Sequence, residues 1–276
     1  MLQTFRSFIA TYVLKASVHI TISHGLSREL THNMAPISFL RKIPEPRVLR
    51  ASADPQEVEF DLARSALIVV DMQNDFLHPE GWFPVRGVDP SPLLKCVPVI
   101  ESLTTLIREL KVPVIWLNWG IRADLANVPQ GVVDRGSAYG TKLPGYADES
   151  VTGKGKILVK DEWGTAIIDE LTVGADDTVV YKHRLSGFWD SELDSVLRKM
   201  GVTTLLFAGV NIDRCVFSTL QDASFLGYDC IMVHDACATS SPEFVTQAVK
   251  YLLHMLYGVS TTYESLKEAS SSGKSL

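Results

Sequence analysis

The sequence has little of what would assign it to several large protein classes. Its 276 residues hold four cysteines, with no CxxC pair and no spacing typical of a disulfide framework. No uninterrupted apolar run is long enough to span a bilayer. Lysine and arginine form no cluster, and the formal net charge is −6. We therefore expect free thiols in a reducing compartment, with neither a nucleic acid nor a membrane as a partner.

The chain also lacks the common catalytic and cofactor motifs. Neither G-x-G-x-x-G nor a Walker A motif occurs, so nucleotide binding has no direct support. No G-x-S-x-G motif indicates a serine hydrolase, and no cluster of histidine, cysteine and carboxylates has zinc-like spacing. We expect no cofactor and no metal.

The two ends differ in composition from the rest. Residues 1–55 are interpreted as an N-terminal extension, which carries Arg6, Lys15 and Arg28 but no acid before Glu29. This balance is typical of a mitochondrial transit peptide, and a disordered arm or a segment upstream of a working start at Met34 are the alternatives. Residues 56–266 are predicted to form the functional domain, and 267–276 a solvated tail. The expected location is the cytoplasm, with mitochondrial import as the alternative.

Strand-like and helix-like stretches alternate along the domain. Nearly continuous apolar runs predict buried parallel strands that end at Asp71, Trp119, Lys182, Val210 and Asp235, with another from Tyr257. Helical periodicity covers Leu93 to Leu110, Trp163 to Leu171, Ser191 to Met200, Arg214 to Leu226 and Glu243 to Leu256, with Gly201 and Gly227 as C-caps. This alternation predicts a three-layer α/β/α fold, a doubly wound and mainly parallel six-stranded sheet.

Three ionisable residues follow the predicted strands where ligands bind in such sheets. Asp71 closes the first strand, Lys182 closes the third, and Cys215 follows the fourth in the first turn of a helix that Asp213 can cap. The partial positive charge there favours a thiolate. Each residue alone has an equally good structural explanation. Cys215 could be a buried apolar thiol, Asp71 a loop-start aspartate that accepts amide hydrogen bonds, and Lys182 a solvated strand end. Together they supply a base, a cation and a thiol, as a cysteine nucleophile requires.

The motifs "ALIVVDMQNDF", "KHRLSGFW" and "GVNIDRCVFSTLQDA" resemble those of the isochorismatase-like cysteine hydrolases, over roughly residues 61–266. The resemblance implies that fold and a catalytic triad of Asp71, Lys182 and Cys215. It also implies a cis peptide between Val210 and Asn211, with the backbone amides of Asn211 and Cys215 as the oxyanion hole. A homo-oligomer is expected because the family usually forms one.

Within that family, long runs of the sequence resemble the ureidoacrylate amidohydrolase and biuret hydrolase branch. Isochorismatases proper lack the cysteine, and nicotinamidases hold a metal through residues that "WLNWG" does not supply. Asp213 and Arg214 depart from the branch pattern, which leaves the exact substrate open.

The resemblance implies a metal-independent amidohydrolase that cleaves a C–N bond of a small ureido or carboxamide compound through an acyl-enzyme. A non-catalytic binding protein of the same fold, an amidase of simple aliphatic or aromatic amides, and a thiol redox sensor with Cys237 as resolving cysteine are the alternatives. Arg122 or Arg184 is a candidate partner for a substrate carboxylate. The predicted substrate-binding residues are Asn74, Phe76, Asn118, Trp119, Trp163, Ser186 and Phe188.

Overall fold

The computed structural model describes residues 38–39, 43–136 and 143–272. The compact unit begins at Pro44. Most of the segment interpreted as a targeting sequence or arm, and the last residues of the predicted tail, lie outside the described residues. None of the helices in the described ranges has both the length and the apolar composition needed to cross a bilayer.

A six-stranded parallel sheet forms the centre of the unit, and a two-stranded antiparallel hairpin precedes it. The hairpin strands are β1 (Val48–Ala51) and β2 (Val58–Asp61), and the sheet strands are β3 (Ser65–Val70), β4 (Val114–Trp119), β5 (Thr178–Lys182), β6 (Thr204–Val210), β7 (Asp229–Ala238) and β8 (Gly258–Thr261). The predicted α/β class and parallel sheet are confirmed. Every residue of β3, β4 and β6 is buried, which explains their continuous apolar sequences.

Helices cover both faces of the sheet. The α-helices are α1 (Asn74–Leu77), α2 (Trp82–Val85), α3 (Ser91–Leu94), α4 (Val97–Glu109), α5 (Gln130–Gly136), α6 (Leu193–Met200), α7 (Phe217–Phe225), α8 (Glu243–Leu252) and α9 (Tyr263–Ser271). Two π-helical turns, Ile212–Val216 and Leu253–Tyr257, adjoin α7 and α8. Gly201 and Gly227 adopt the left-handed conformation at helix ends, as predicted.

The predicted helix from Trp163 to Leu171 is wrong. Only Trp163–Thr165 is helical, as a single 3-10 turn. The following residues bond instead to the loop after β3, where the amide of Asn74 donates to Ala166 O at 3.0 Å and the amide of Ile168 to Met72 O at 3.1 Å. Pairing with a distant segment has replaced the local helix.

The hairpin lies in part within the predicted extension. Asp54 exchanges backbone hydrogen bonds with Ser260 of β8, at 2.8 and 3.0 Å, and Thr261 Oγ1 donates to Ser52 O. At the other end, α9 continues past residue 266 to Ser271. The domain boundaries at 55 and 266 stay predictions.

Strand order positions the site. The order is β5-β4-β3-β6-β7-β8, so the chain builds outward from β3 in one direction and then, from β6, in the other. The carboxyl ends of β3 and β6 are therefore neighbours at the topological switch point, where crevices form in doubly wound sheets.

Candidate active site

Asp71 lies directly beyond β3, facing this crevice. Its φ of 53° is left-handed, a conformation that aspartate tolerates better than most residues, and its amide donates to Leu117 O at 2.9 Å. Val70 pairs with Gly209 of β6, where a Cβ would lie 2.2 Å from Val70 O. Glycine at 209 therefore permits the close approach of the two strands that carry Asp71 and Cys215.

Lys182 ends β5 in register with Trp119 of β4, and its side chain is fully buried. Its Nζ lies 2.9 Å from Asp71 Oδ2, 3.4 Å from Arg184 O and 4.1 Å from the centre of a Trp119 ring. The contact with Asp71 is an ion pair between two buried side chains. His183 lies just beyond β5, is only partly buried, and its Nε2 is 4.0 Å from Asp190 Oδ2.

Cys215 lies in the π-helical turn Ile212–Val216, a distortion often found at functional sites. The predicted cis peptide between Val210 and Asn211 is confirmed. The amides of Arg214 and Val216 both donate to Asn211 O, at 3.0 and 3.2 Å. This turn brings the Cys215 thiol within hydrogen-bonding reach of Asp71 and Lys182.

Asp213 is not a helix cap. Asn211 holds the N-cap position and makes no side-chain capping bond. The Asp213 carboxylate instead accepts hydrogen bonds from Thr239 Oγ1 at 2.5 Å and Ser241 Oγ at 2.8 Å. Asp213 therefore connects the turn that carries Cys215 to the loop after β7.

The protonation state of Cys215 differs from the thiolate that the sequence predicted. Burial, and next the charge of Asp71, raise the pKa of Cys215 to about 12, against the opposing effect of Lys182. Burial also raises the pKa of Asp71, although Lys182 and the thiol act to lower it. The cost of burying a charge exceeds the effect of the helix start. The resting thiol is thus protonated, beside a carboxylate that is a stronger base than an exposed one.

A small cavity of about 180 Å³ opens onto Asp71 and Cys215. Its other lining residues are Phe76, Trp82, Phe83, Trp119, Tyr146, Leu185, Asn211 and Arg214. The rings contact one another, with Phe76 and Phe83 centres 4.8 Å apart and Trp82 and Tyr146 centres 5.2 Å apart. Burial raises the pKa of Tyr146, so its hydroxyl stays protonated. The volume of the cavity is below the usual 300–1,000 Å³ of drug-sized ligand sites, so it suits a small molecule.

The structure places the predicted binding residues in two groups. Phe76 and Trp119 line the cavity, and so does Asn211, which was predicted for the oxyanion hole. Asn118 is buried on the other face of β4, because neighbouring strand residues point in opposite directions.

The other four predicted binding residues also lie outside the cavity lining, among the described residues. Asn74 Nδ2 donates to Trp163 O at 3.0 Å, and Trp163 packs against His78 with ring centres 5.0 Å apart. Ser186 Oγ accepts from the amide of Phe188, whose ring packs 5.7 Å from that of Tyr228.

Two positioning residues in "MQND" escaped the sequence analysis. Gln73 donates through Nε2 to Trp119 O and Thr165 O, and accepts from the amide of Trp119. Asp75 is buried and accepts from the amides of Trp82 and Leu158. Burial raises the pKa of Asp75 to about 6, although both amides act to lower it. Polar residues directly after a buried strand, next to the candidate base, were the available signal.

Several cavity residues were also missed: Trp82, Phe83, Tyr146 and Leu185. They come from segments whose approach to Cys215 has no local signature in the sequence.

Among the described residues, no group of three or more histidine, cysteine, aspartate and glutamate side chains is arranged to hold a metal ion. Cys237 was the candidate resolving cysteine of a redox sensor. Its thiol donates to Phe207 O at 3.7 Å. Burial, and next Cys96, raise the pKa of this thiol.

Solved structures share this architecture. A cysteine hydrolase from Pseudomonas syringae pv. phaseolicola 1448A is 24% identical, with a TM-score of 0.64, over 83% of this chain and 99% of its own. An isochorismatase family protein from Desulfovibrio vulgaris subsp. vulgaris str. Hildenborough is 27% identical, with a TM-score of 0.59, over 75% and 98%. N-carbamoylsarcosine amidase from Thermoplasma acidophilum is 25% identical, with a TM-score of 0.55, over 73% and 97%.

The family comparison covers most of the chain. The model described as "Isochorismatase domain" matches residues 65–264, from the first residue of β3 into α9. That span includes the whole parallel sheet and every residue around the crevice. The chain belongs to the isochorismatase domain family.

Proposed function

We propose that this protein is a cysteine amidohydrolase that cleaves a C–N bond of a small ureido or carboxamide compound, with Asp71, Lys182 and Cys215 as its catalytic residues. One observation carries the proposal. A buried thiol lies within reach of an aspartate whose Oδ2 is 2.9 Å from a buried lysine, and this group opens onto a small aromatic cavity. The similarity to family hydrolases, among them an amidase, supports hydrolysis.

In the proposed first step, the Cys215 proton passes to Asp71 as the sulfur attacks the carbonyl carbon of the substrate. Lys182 stabilises the negative charge left on sulfur. The new C–S bond gives a tetrahedral intermediate whose oxyanion accepts hydrogen bonds from the backbone amides of Asn211 and Cys215. Asp71 then returns the proton to the departing nitrogen as the C–N bond breaks.

In the proposed second step, water attacks the acyl-enzyme and Asp71 takes a proton from it. The C–S bond breaks, the proton returns to sulfur, and the acid product leaves. The raised pKa of Asp71 suits a group that alternately accepts and donates a proton. We propose that no metal takes part, and that ureidoacrylate-like compounds are the first substrates to test, because the sequence motifs resemble that branch.

The test is ammonia release from ureidoacrylate, biuret, N-carbamoyl amino acids, nicotinamide and simple amides, measured with EDTA present. We expect turnover of a ureido compound or carboxamide, and a loss of kcat of roughly 10⁴-fold in Cys215→Ala. Cys230→Ala is the matched control, because that thiol is buried beside Leu220 O and outside the cavity. Equal activity of Cys215→Ala and wild type, or silence of the folded wild type across the panel, would contradict the proposal. Such silence would favour a binding protein of the same fold.

A further inference from the structure

The cavity beside Cys215 contains a charge that the proposed chemistry does not use. Arg214, the residue before the nucleophile, lines the cavity and is the one cation among its described lining residues. Its side chain is 40% exposed, and its Nη2 donates to Ser241 Oγ at 3.1 Å. Most of its guanidinium donors are therefore available to a ligand.

The nearest acid only partly balances this charge. Asp213 Oδ2 is 3.6 Å from Arg214 Nε, but Asp213 is 11% exposed and absent from the described cavity lining. Its carboxylate is engaged by Thr239 and Ser241. The carboxylate of Asp71, which also lines the cavity, is paired with Lys182, whose Nζ lies 2.9 Å from Asp71 Oδ2. Asp71 and Arg214 are thus the charged residues of the described lining, and only the charge of Asp71 is paired at hydrogen-bonding distance.

A second donor in the cavity is also unpaired. Trp119 lines the cavity, is 3% exposed, and its Nε1 has no hydrogen-bond partner among the described residues. A buried donor without an acceptor is unfavourable, and a ligand oxygen would remove that cost. Both free donors favour an oxygen-rich, anionic ligand group.

The two arginines suggested by the sequence are committed elsewhere. Arg122 pairs with Asp124 at 2.6 Å, and Arg184 pairs with Asp190 at 3.0 Å and donates to Asn127 O. Neither lines the cavity. Arg214, in contrast, lines the cavity.

We propose that Arg214 determines specificity by pairing with a carboxylate of the substrate, so that this enzyme acts on small amides or ureido compounds that carry a carboxylate a few bonds from the scissile carbonyl. This inference rests on the proposed function. The guanidinium presents a planar fork that matches a carboxylate, and its place next to Cys215 in the chain keeps the two groups of the ligand close together.

The test compares alkylation of Cys215 by iodoacetate and by iodoacetamide, two reagents of similar size that differ in charge. The ratio of their rates, relative to the same ratio for a free small-molecule thiol, cancels any change in thiolate fraction. We expect the wild type to favour iodoacetate, and Arg214→Gln to lower the ratio roughly tenfold, about the effect of one charge-assisted hydrogen bond. Site occupancy is followed by mass spectrometry of the peptide containing Cys215.

Arg214→Lys keeps the charge but loses the planar fork, so its ratio of rates should lie between those of the wild type and Arg214→Gln. Arg122→Gln should have the same ratio as the wild type. An unchanged ratio in Arg214→Gln, or no preference for iodoacetate in the wild type, overturns the inference. If Arg214→Gln does not fold, the ratio in Arg214→Lys and the wild type decides.

A binding measurement separates this inference from the proposed function. Calorimetry on the Cys215→Ala protein with malonamate and malonamide, which differ by one carboxylate, needs no turnover. Roughly tenfold tighter binding of malonamate supports the role of Arg214, even if no amide is hydrolysed. Equal binding of both overturns it, even if the enzyme hydrolyses neutral amides.

Discussion

Cys215 is buried beside two opposite charges, and burial together with these charges decides where its proton resides. Burial, the largest effect, and next the charge of Asp71 raise the pKa of the Cys215 thiol, whereas Lys182 acts to lower it. The base that activates the sulfur in the proposed reaction therefore also suppresses its spontaneous ionisation. Activation then depends on a substrate carbonyl that can accept the electrons as the proton moves to Asp71. Such a nucleophile resists unselective alkylation and oxidation at neutral pH.

Replacing Asp71 should separate ionisation of the sulfur from hydrolysis. In Asp71→Asn the negative charge beside sulfur is removed while Lys182 remains, so the pKa of Cys215 should fall. Alkylation by iodoacetamide at pH 8 should be roughly tenfold faster for each unit by which that pKa falls. Amide hydrolysis should decrease by roughly 10²–10⁴-fold, because no base remains to move the proton.

The rate of alkylation between pH 6 and 10 is the measurement, with mass spectrometry to identify Cys215. Lys182→Met should change the rate in the opposite direction, because it removes the charge that lowers this pKa. Slower alkylation in Asp71→Asn than in wild type would contradict the assigned balance of charges.

The segment after β3 depends on buried polar contacts for its shape. Gln73 fixes it to Trp119 of β4, and Asp75 holds the amides of Trp82 and Leu158. A Cβ on Gly164 would lie 2.2 Å from Asp75 Oδ2, so this loop also leaves no room around the carboxylate. These contacts hold Trp82 and Trp119, from different parts of the chain, beside the cavity.

Asp75 should give the fold a pH dependence of its own. Its folded-state pKa of about 6 is raised above the ordinary value of 3.8, so the folded state binds this proton more tightly than the unfolded state. The resulting stability is complete below about pH 4 and is lost as the pH rises through 6. It amounts to at most about 3 kcal/mol.

The measurement is the difference in unfolding free energy between wild type and Asp75→Asn, from urea titrations at pH 4 to 7. The difference should shift against the wild type by up to about 3 kcal/mol as the pH rises. Other carboxylates titrate equally in both proteins and cancel. A difference independent of pH would show that Asp75 does not titrate in this range.

At the scale of the whole molecule, α8 and the π-helical turn that follows it, Leu253–Tyr257, carry both buried and exposed apolar side chains. Val249 and Leu253 face the core, whereas Phe244, Tyr251 and Met255 are 69%, 65% and 61% exposed. Leu252 and Leu256 extend this exposed stripe. A contiguous exposed apolar patch rimmed by polar residues marks a protein–protein interaction site. We expect a second copy of the chain to cover it, consistent with the homo-oligomer predicted from the sequence, because such a stripe can supply the apolar centre of the roughly 800 Å² per partner that a standard interface buries.

Tyr251→Glu should therefore favour the monomer, because a charge buried without a partner at an interface is unfavourable. Light scattering coupled to size exclusion measures the mass of each species, and Val179→Glu, on an exposed residue of β5, is the matched control. A wild type that is monomeric at all concentrations, or an assembly unaffected by Tyr251→Glu, would contradict this use of α8.

The sheet could be predicted because its strands are buried on both faces, and such strands show continuous apolar runs whatever their partners. The convergence of Asp71, Lys182 and Cys215 followed from one rule about strand ends. The cavity did not follow, because Trp82 and Tyr146 reach it through loops with irregular geometry. Asn118 shows a second limit: its position in the chain is next to Trp119, but strand alternation places the two side chains on opposite faces.

The switch point between β3 and β6 has a consequence for how the molecule becomes active. Asp71 comes from the first half of the parallel sheet to be synthesised, and Lys182 and Cys215 from segments more than a hundred residues later. No contiguous fragment short of most of the domain contains the three groups. Contacts of such long sequence separation form slowly. Recovery of activity after refolding therefore reports the formation of the complete sheet. The helical signal in circular dichroism reports only the formation of individual helices.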